Sequence, residues 1–171
     1  RCQQIIFNSI DETRVKDILI EQHGLTPLRA HFISYLAQGS MKNASALMEL
    51  GEDLLEKRKQ ILNALYFKKF ALFKMEEFTI EDNTLKRRRV GLLLDILISW
   101  FRDLLIIKAR LDTPLINMDK KSDLLRFVAS YTQEDLTYSI TTVANAKYLI
   151  AADFNINVKL AISKMRADLW K

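Results

Sequence analysis

The residue types that most often perform catalysis or bind metals are few and scattered in this sequence. Its 171 residues include one cysteine, Cys2, and two histidines, His23 and His31. Their spacing matches no pattern of zinc ligands, and no serine or cysteine forms a recognisable arrangement with a histidine and an acid. The four glycines are dispersed, so the sequence has no glycine-rich phosphate-binding loop. We therefore expect no catalytic site, no metal site and no cofactor, and we interpret the chain as an interaction module.

The densest cluster of charge is Lys86-Arg87-Arg88-Arg89, in a chain whose formal net charge is +5. Two interpretations of it are open: a solvated helix end, or a contact for nucleic acid. A net charge of this size permits binding to nucleic acid without requiring it. Nucleic-acid surfaces usually combine cations with aromatic residues or helix N-termini, and an apolar segment follows this run instead. The sequence therefore favours the solvated helix end.

The compartment is indicated by the cysteine content and by one long apolar segment. A single cysteine excludes an internal disulfide and favours a reducing, cytoplasmic environment. The segment from Val90 to Ile107 is interrupted by three charged residues, so it predicts a buried helix rather than a membrane span. The sequence starts at Arg1, and no signal-peptide pattern follows. We interpret it as part of a longer polypeptide.

The first part of the sequence predicts three short helices. Arg1 to Phe7 has the pattern of a short extended segment. The spacing Ser9-Ile10-Asp11-Glu12 is typical of a capping box and predicts a helix that begins there. Thr26-Pro27 predicts a second helix start, with proline at the first helical position. Gly39-Ser40 ends that helix and caps a third. We expect these helices to form a small domain over residues 1–51.

Longer amphipathic patterns follow over residues 52–171. A helix is predicted from about Glu52 to Met75, and a second, apolar on nearly every side, from about Thr84 to Arg110. Further helices are predicted near 120–131, 133–153 and 157–170. A helix that is apolar all round must lie at the centre of its domain. The expected fold is therefore all-α, with a three-helix domain followed by a bundle of about five helices.

Several short motifs resemble subunits of DNA polymerase clamp loaders. Arg1-Cys2-Gln3 resembles the Ser-Arg-Cys junction between their ATPase core and helical lid, and the segment from Gln38 to Ala44 resembles the start of the third lid helix. In the second part, the motif from Trp100 to Leu105, the loop Asn117-Met118-Asp119 and the pair Asn155-x-Asn157 resemble the collar domain of the bacterial delta-prime family. The resemblance covers essentially the whole chain.

The resemblance implies a lid followed by a collar, in a component of the bacterial DNA polymerase III clamp loader. This complex uses ATP to place a sliding clamp on primed DNA. Delta-prime subunits do not hydrolyse ATP themselves. The implied partners are the gamma/tau motor and delta subunits, with the clamp and DNA reached only through the whole complex and no membrane involved. The expected role is therefore a scaffold for assembly.

Individual roles follow from the same resemblance. Arg1 matches the arginine finger that reaches the ATP of a neighbouring subunit, a role it would have only in the intact protein. Lys42 takes the place of the lid's sensor arginine in the hydrolysing relatives. Trp100, Arg102 and Trp170 are candidates for the interface between subunits. Trp100 could equally pack in the core of its own domain.

Two alternatives remain. The chain could be the lid and collar of the gamma/tau motor or another loader paralogue, for which a sensor arginine would be expected where Lys42 stands. It could also be a free-standing helical nucleic-acid-binding module built around Lys86 to Arg89. The absence of interleaved aromatic residues places that alternative last.

Overall fold

The computed structural model describes residues 8–49, 53–66, 80–151 and 156–169. Eight α-helices lie in these ranges, and no strand does. They are α1 (Glu12–Glu21), α2 (Pro27–Ala37), α3 (Met41–Glu49), α4 (Asp53–Tyr66), α5 (Asn83–Ala109), α6 (Lys121–Phe127), α7 (Gln133–Ala151) and α8 (Val158–Leu169). Short 3₁₀ turns, Met118–Lys120 and Val128–Ser130, flank α6. The predicted all-α fold is confirmed, with three short helices followed by five.

Some sequence predictions lie outside the described residues. These are the extended segment from Arg1 to Phe7, the continuation of α4 toward Met75, and Asn155. Within the described ranges, no helix is long and apolar enough to cross a membrane. The chain divides into two compact units, Arg1–Leu55 and Glu56–Lys171. The predicted boundary near residue 51 and the assignment of the first unit as a lid stay predictions.

In the first unit, α2 packs against both α1 and α3. Phe32 and Ile33 of α2 are fully buried, together with Val15 and Leu19 of α1. Thr26 is the N-cap residue of α2 and Pro27 its first residue, as predicted. The predicted start of α1 at Ser9 is wrong. The N-cap is Asp11, whose carboxylate accepts a hydrogen bond of 2.8 Å from the Thr13 N–H, because a carboxylate one residue before the helix satisfies its free N–H groups.

Gly39 connects the N-terminal segment to the turn before α3. Its φ is +75°, in the left-handed region, and its carbonyl oxygen accepts a hydrogen bond of 2.9 Å from the Ile10 N–H. A Cβ atom on Gly39 would lie 2.6 Å from the Ile10 carbonyl oxygen and 2.7 Å from the Ser9 Cβ. Only glycine allows both this backbone conformation and this close approach.

Gly39→Ala is expected to destabilise the first unit by at least about 2 kcal/mol, since it combines an unfavourable φ with a clash against backbone. Hydrogen exchange of amides in α1 to α3 would measure the loss. Gly24→Ala is the matched control, because Gly24 also has positive φ, +63°, but nothing within 4 Å of the added Cβ. Equal losses in the two variants would show that the contact with Ile10 does not contribute. Changing Lys42, which is exposed on α3, should have little effect on stability.

In the second unit, α5 is the central helix, in contact with α6 and α7, and α8 packs against α7. The buried residues of α5 lie on several sides of it, as the sequence predicted; they are Val90, Leu93, Leu94, Ile96, Leu97, Ser99, Trp100, Phe101, Asp103, Leu104 and Ile106. The Phe101 and Tyr131 rings form a T-shaped pair, with centroids 6.4 Å apart. Burial raises the pKa of the Tyr131 hydroxyl. This contact holds the segment after α6 against α5.

A reciprocal pair of hydrogen bonds starts α7. The Thr132 N–H donates to the Asp135 carboxylate at 2.9 Å, and the Asp135 N–H donates to the Thr132 hydroxyl at 3.0 Å. This is a capping box with an aspartate in the usual position of a glutamate. The hydrogen bonds from Thr132 lower the pKa of the Asp135 carboxyl. The start of α7 is therefore fixed by local chemistry.

Candidate assembly surface

A buried polar cluster lies where α5 meets the segment that leads to α6. The Asp103 side chain is 0% exposed, and Asn117 and Ser99 are buried beside it. One Asp103 oxygen accepts hydrogen bonds from the Asn117 N–H at 2.7 Å and from the Asn117 side-chain amide at 2.9 Å. The other accepts from the Ile116 N–H at 3.1 Å. A carboxylate or amide buried in this way needs such partners, since unsatisfied buried polar groups are costly.

Arg58 extends this cluster to α4. Its buried guanidinium donates to both carboxylate oxygens of Asp119 and, at 3.4 Å, to the Asn117 side-chain oxygen. A bidentate arginine–carboxylate pair is among the stronger polar contacts in proteins. The cluster therefore attaches α4 and the segment before α6 to the central helix.

The residues of the collar-like motifs thus have structural roles. Asp103 belongs to the motif that starts at Trp100, and Asn117 and Asp119 belong to the loop motif. Their side chains contact one another or Arg58; Asp103 and Asn117 are buried, and Asp119 is partly exposed. The spacing of these motifs can therefore be explained by the folding of the second unit alone.

The predicted interface residues have different environments. Trp100 is 2% exposed and lies in the core of its own unit, the second of its two interpretations. Arg102 is partly exposed, and its guanidinium donates to Asp103 at 2.8 Å and to the Pro114 carbonyl at 3.2 Å. Lys42 is exposed near the start of α3. Arg1 and Trp170 lie outside the described residues.

One surface that the sequence analysis missed lies along α7. Its exposed residues Thr137, Tyr138, Thr141, Ala144, Asn145 and Tyr148, named here the α7 face, recur at helical spacing. Tyr138 is 52% exposed and Tyr148 is 65% exposed. After Asp135 the helix has one charged residue, Lys147, and it lies on a different side. The α7 face is therefore an uncharged surface with two accessible tyrosines.

Lys147 points toward α5, where its ammonium group pairs with the Asp95 carboxylate at 2.5 Å. Burial raises the pKa of Asp95, and the hydrogen bond and charge of Lys147 oppose that rise. The pair thus joins the two helices through a partly desolvated contact. Lys147, the only charged residue of α7 after Asp135, therefore forms an ion pair within the second unit and is not part of the α7 face.

Lys147→Met should lower the free energy of unfolding by about 1 to 2 kcal/mol at neutral pH, because Asp95 stays buried and loses its cation. The expected loss is smaller than for a fully buried pair because solvent partly screens this one. The Asp95 pKa should rise further. Since a raised carboxyl pKa costs stability as pH rises through it, the loss should shrink on acidification below that pKa. Urea unfolding over a range of pH would measure it. Lys147→Met with Asp95→Asn is the control, and a double variant no more stable than Lys147→Met alone would contradict this account.

The basic run contains one residue with a structural role. Arg87 donates to the Ile150 carbonyl at 2.8 Å and to the Ile156 carbonyl at 3.2 Å. It thereby connects the start of α5 to the end of α7 and to the segment before α8. By the spacing of an α-helix, Lys86, Arg88 and Arg89 lie on the half of α5 that faces away from Arg87. The described residues contain no group of three or more side chains that could hold a metal ion.

Comparison with known protein families identifies a family that matches the second unit. Residues 52–168 match the family described as DNA polymerase III, delta subunit, C terminal, a match over about two thirds of the chain. The chain belongs to this family. It is therefore a DNA polymerase III delta-like chain related to the clamp loader, which confirms that part of the sequence interpretation. No curated protein and no solved structure matches it.

The match to this family covers α4 to α8 together. The buried cluster and the α7 face both lie within the matched region. The family is named for one component of a larger enzyme, so its members belong to an assembly. An uncharged exposed helix face in such a domain is the strongest candidate in the described residues for a surface that contacts another protein of that assembly.

Proposed function

We propose that this chain is the lid and collar of a delta-prime-like component of the DNA polymerase III clamp loader, acting in the bacterial cytoplasm. It serves as a scaffold and hydrolyses no ATP. The collar holds the protein in the complex, and the complex as a whole loads the sliding clamp onto primed DNA. The observation that carries the proposal is the uncharged α7 face in a domain of the DNA polymerase III delta family.

The chemistry of the α7 face fits a protein partner. The cores of protein interfaces are depleted of charge and enriched in tyrosine, whose ring supplies apolar area and whose hydroxyl remains able to hydrogen-bond. The face runs from Thr137 to Tyr148, a length of about 16 Å at the rise of an α-helix. Its threonine, alanine and asparagine side chains are small, so a second helix can approach closely. We therefore assign this face to contact with a helix of a neighbouring loader subunit.

The delta-prime assignment is supported by the lid. Lys42 stands where the ATP-hydrolysing relatives carry an arginine, by the resemblance of the segment from Gln38 to Ala44. A lysine lacks the planar, bidentate geometry of that arginine. The gamma/tau motor is the second candidate. In a reconstituted loader, the chain should compete with full-length delta-prime for its place and should not displace a motor subunit; displacement of the motor would favour the second candidate.

Capture of the chain by purified motor and delta subunits of the same organism tests the scaffold role. We expect stoichiometric capture, with no ATP hydrolysis by the chain alone. Tyr148→Glu and Tyr138→Glu should each weaken capture at least about tenfold, because a charge would be buried at the contact. Ser163→Glu, which places the same charge on the exposed side of α8, is the matched control.

Circular dichroism should show that all three variants remain folded, since each changed residue is exposed. Normal capture of the tyrosine variants would show that the α7 face is not the contact. Failure of the unchanged chain to bind, under conditions in which the full-length protein assembles, would contradict the scaffold role itself.

A further inference from the structure

We propose that the start of α5 carries a sequence-independent contact for the phosphate backbone of duplex DNA. The contact consists of Lys86, Arg88 and Arg89, named here the α5 cation cluster. It is separate from the α7 face and adds a binding function to the proposed scaffold role. Four observations support it: the position of the cations on the helix, their lack of acidic partners among the described residues, the anchoring by Arg87, and the chemistry of the surroundings.

The cations lie at the helix end where they are least favourable. Lys86 and Arg89 are the fourth and seventh residues of α5, close to its positive N-terminal end. The helix dipole acts within the first turn and so disfavours the charge of Lys86, and the like charges of Lys86 and Arg89, three residues apart, repel each other. The first turn of α5 contains no acidic residue. The N-cap residue Asp82 is engaged with the Leu85 N–H at 2.7 Å. The cluster therefore creates a local excess of positive charge.

No carboxylate within the described residues forms an ion pair with Lys86, Arg88 or Arg89. Other cations of the second unit do have such partners, among them Arg58 with Asp119, Arg126 with Asp123, and Lys147 with Asp95. Arg88 is exposed, and Lys86 and Arg89 are partly exposed. The α5 cation cluster is thus available to an anion from outside.

Arg87 fixes the direction in which the cluster points. Its two hydrogen bonds, to the carbonyls of Ile150 and Ile156, connect the start of α5 to α7 and to the segment before α8. The backbone that carries the three cations is therefore attached at the same level to two other elements. Preorganised groups lose less conformational entropy on binding. Arg87 itself is occupied by these carbonyls and is not part of the contact.

The surroundings favour DNA over a lipid surface. A helix that lies in a membrane interface needs a broad face of exposed apolar residues beside its cations. Leu85 is the one large apolar side chain of α5 that is exposed. DNA is the substrate of the polymerase to which the family belongs. Three phosphate contacts give weak binding, with an expected dissociation constant of about 10⁻⁴ to 10⁻⁶ M at physiological salt.

Fluorescence anisotropy with a short labelled duplex, between about 50 and 200 mM salt, tests the proposal. The variant Lys86→Ala/Arg88→Ala/Arg89→Ala should bind more weakly. The slope of log K against log salt should fall in magnitude by about 2 to 3, since each phosphate contact contributes about 0.9. Arg14→Ala/Lys121→Ala/Lys164→Ala removes the same charge from exposed positions elsewhere and should keep its slope.

Stability provides a second readout. If the cluster serves binding, its alanine variant should have an equal or higher Tm, because cations are removed from the unfavourable helix end. A lower Tm would assign the cations a structural role and overturn the proposal. Equal weakening by the two triple variants would also overturn it, since only net charge would matter. Binding to phosphatidylglycerol vesicles without binding to DNA would replace it with a membrane contact. Tyr148→Glu should leave the DNA slope unchanged, which separates this test from that of assembly.

Discussion

Asp103→Leu is expected to lower the free energy of unfolding of the second unit by about 3 to 5 kcal/mol, the range found when one partner of a buried charged network is removed. Leucine has the same branching of side-chain heavy atoms as aspartate but accepts no hydrogen bond. The Ile116 N–H, the Asn117 N–H and the Asn117 side-chain amide would all lose their acceptor while they remain buried. Each unsatisfied buried donor costs about 1 to 3 kcal/mol. Arg102 would also lose its nearest carboxylate.

Hydrogen exchange can locate this effect as well as measure it. The amides of Ile116 and Asn117 should exchange much faster in Asp103→Leu, and urea unfolding followed by circular dichroism should give the total loss. Asp103→Asn should fall between the unchanged chain and Asp103→Leu, because it keeps one oxygen acceptor and adds an N–H group beside other donors. Asp112→Leu, the same replacement at an exposed position, is the control. Retained protection at Ile116 and Asn117 would show that the segment is held by packing alone.

The helices of this chain could be predicted from sequence because their signals are local. A long segment that is apolar on nearly every side predicted α5 to within one residue at each end. The pair Thr26-Pro27 marked the start of α2. The capping-box pattern at Ser9 gave a wrong start for α1, because Asp11, two residues later, offers a stronger hydrogen-bond acceptor. Local signals therefore fixed the type and order of the elements and left small errors at their ends.

The contacts that assemble the second unit could not be predicted in the same way. Arg58 and Asp119 are 61 residues apart in the sequence, and no periodic pattern connects them. The motif residues Asp103 and Asn117 were recognised, but their partnership depends on how the segment before α6 folds back onto α5. The same applies to the hydrogen bond between Gly39 and the segment before α1 in the first unit. Polar groups that are far apart in the sequence can be recognised as partners only once the fold is known.

The α7 face differs, because its signal was present in the sequence. From Leu136 to Ala151 the only charged residue is Lys147. An amphipathic helix on the surface of a domain normally carries charges on its solvent side. Tyr138 and Tyr148 at helical spacing with no charge between them on that side are typical of a contact surface. What the sequence alone could not give is the inward direction of Lys147, which its pairing with Asp95 establishes.

Leu104→Asp is expected to unfold the second unit at 25 °C. Leu104 is 0% exposed and lies in the C-terminal third of α5. Truncation of a buried leucine to alanine alone costs about 2 to 5 kcal/mol. An aspartate there would add the cost of burying a carboxylate, several kcal/mol. The sum is comparable to the whole stability of an ordinary domain, about 5 to 15 kcal/mol.

Circular dichroism and hydrogen exchange of α5 and α7 would measure the result, with Leu97→Asp as a second variant at an equally buried position of α5. Leu160→Asp is the matched control, since the same change is made at a leucine that is 69% exposed on α8. Leu104→Ala should be destabilised but folded, which would separate loss of volume from addition of charge. A folded Leu104→Asp would require the carboxylate to reach water, and α5 would then not be the central helix of the unit. The sequence predicted this sensitivity from the all-round apolar pattern of α5. The variant therefore tests whether α5 is the central helix of the second unit, and it does so without any partner protein.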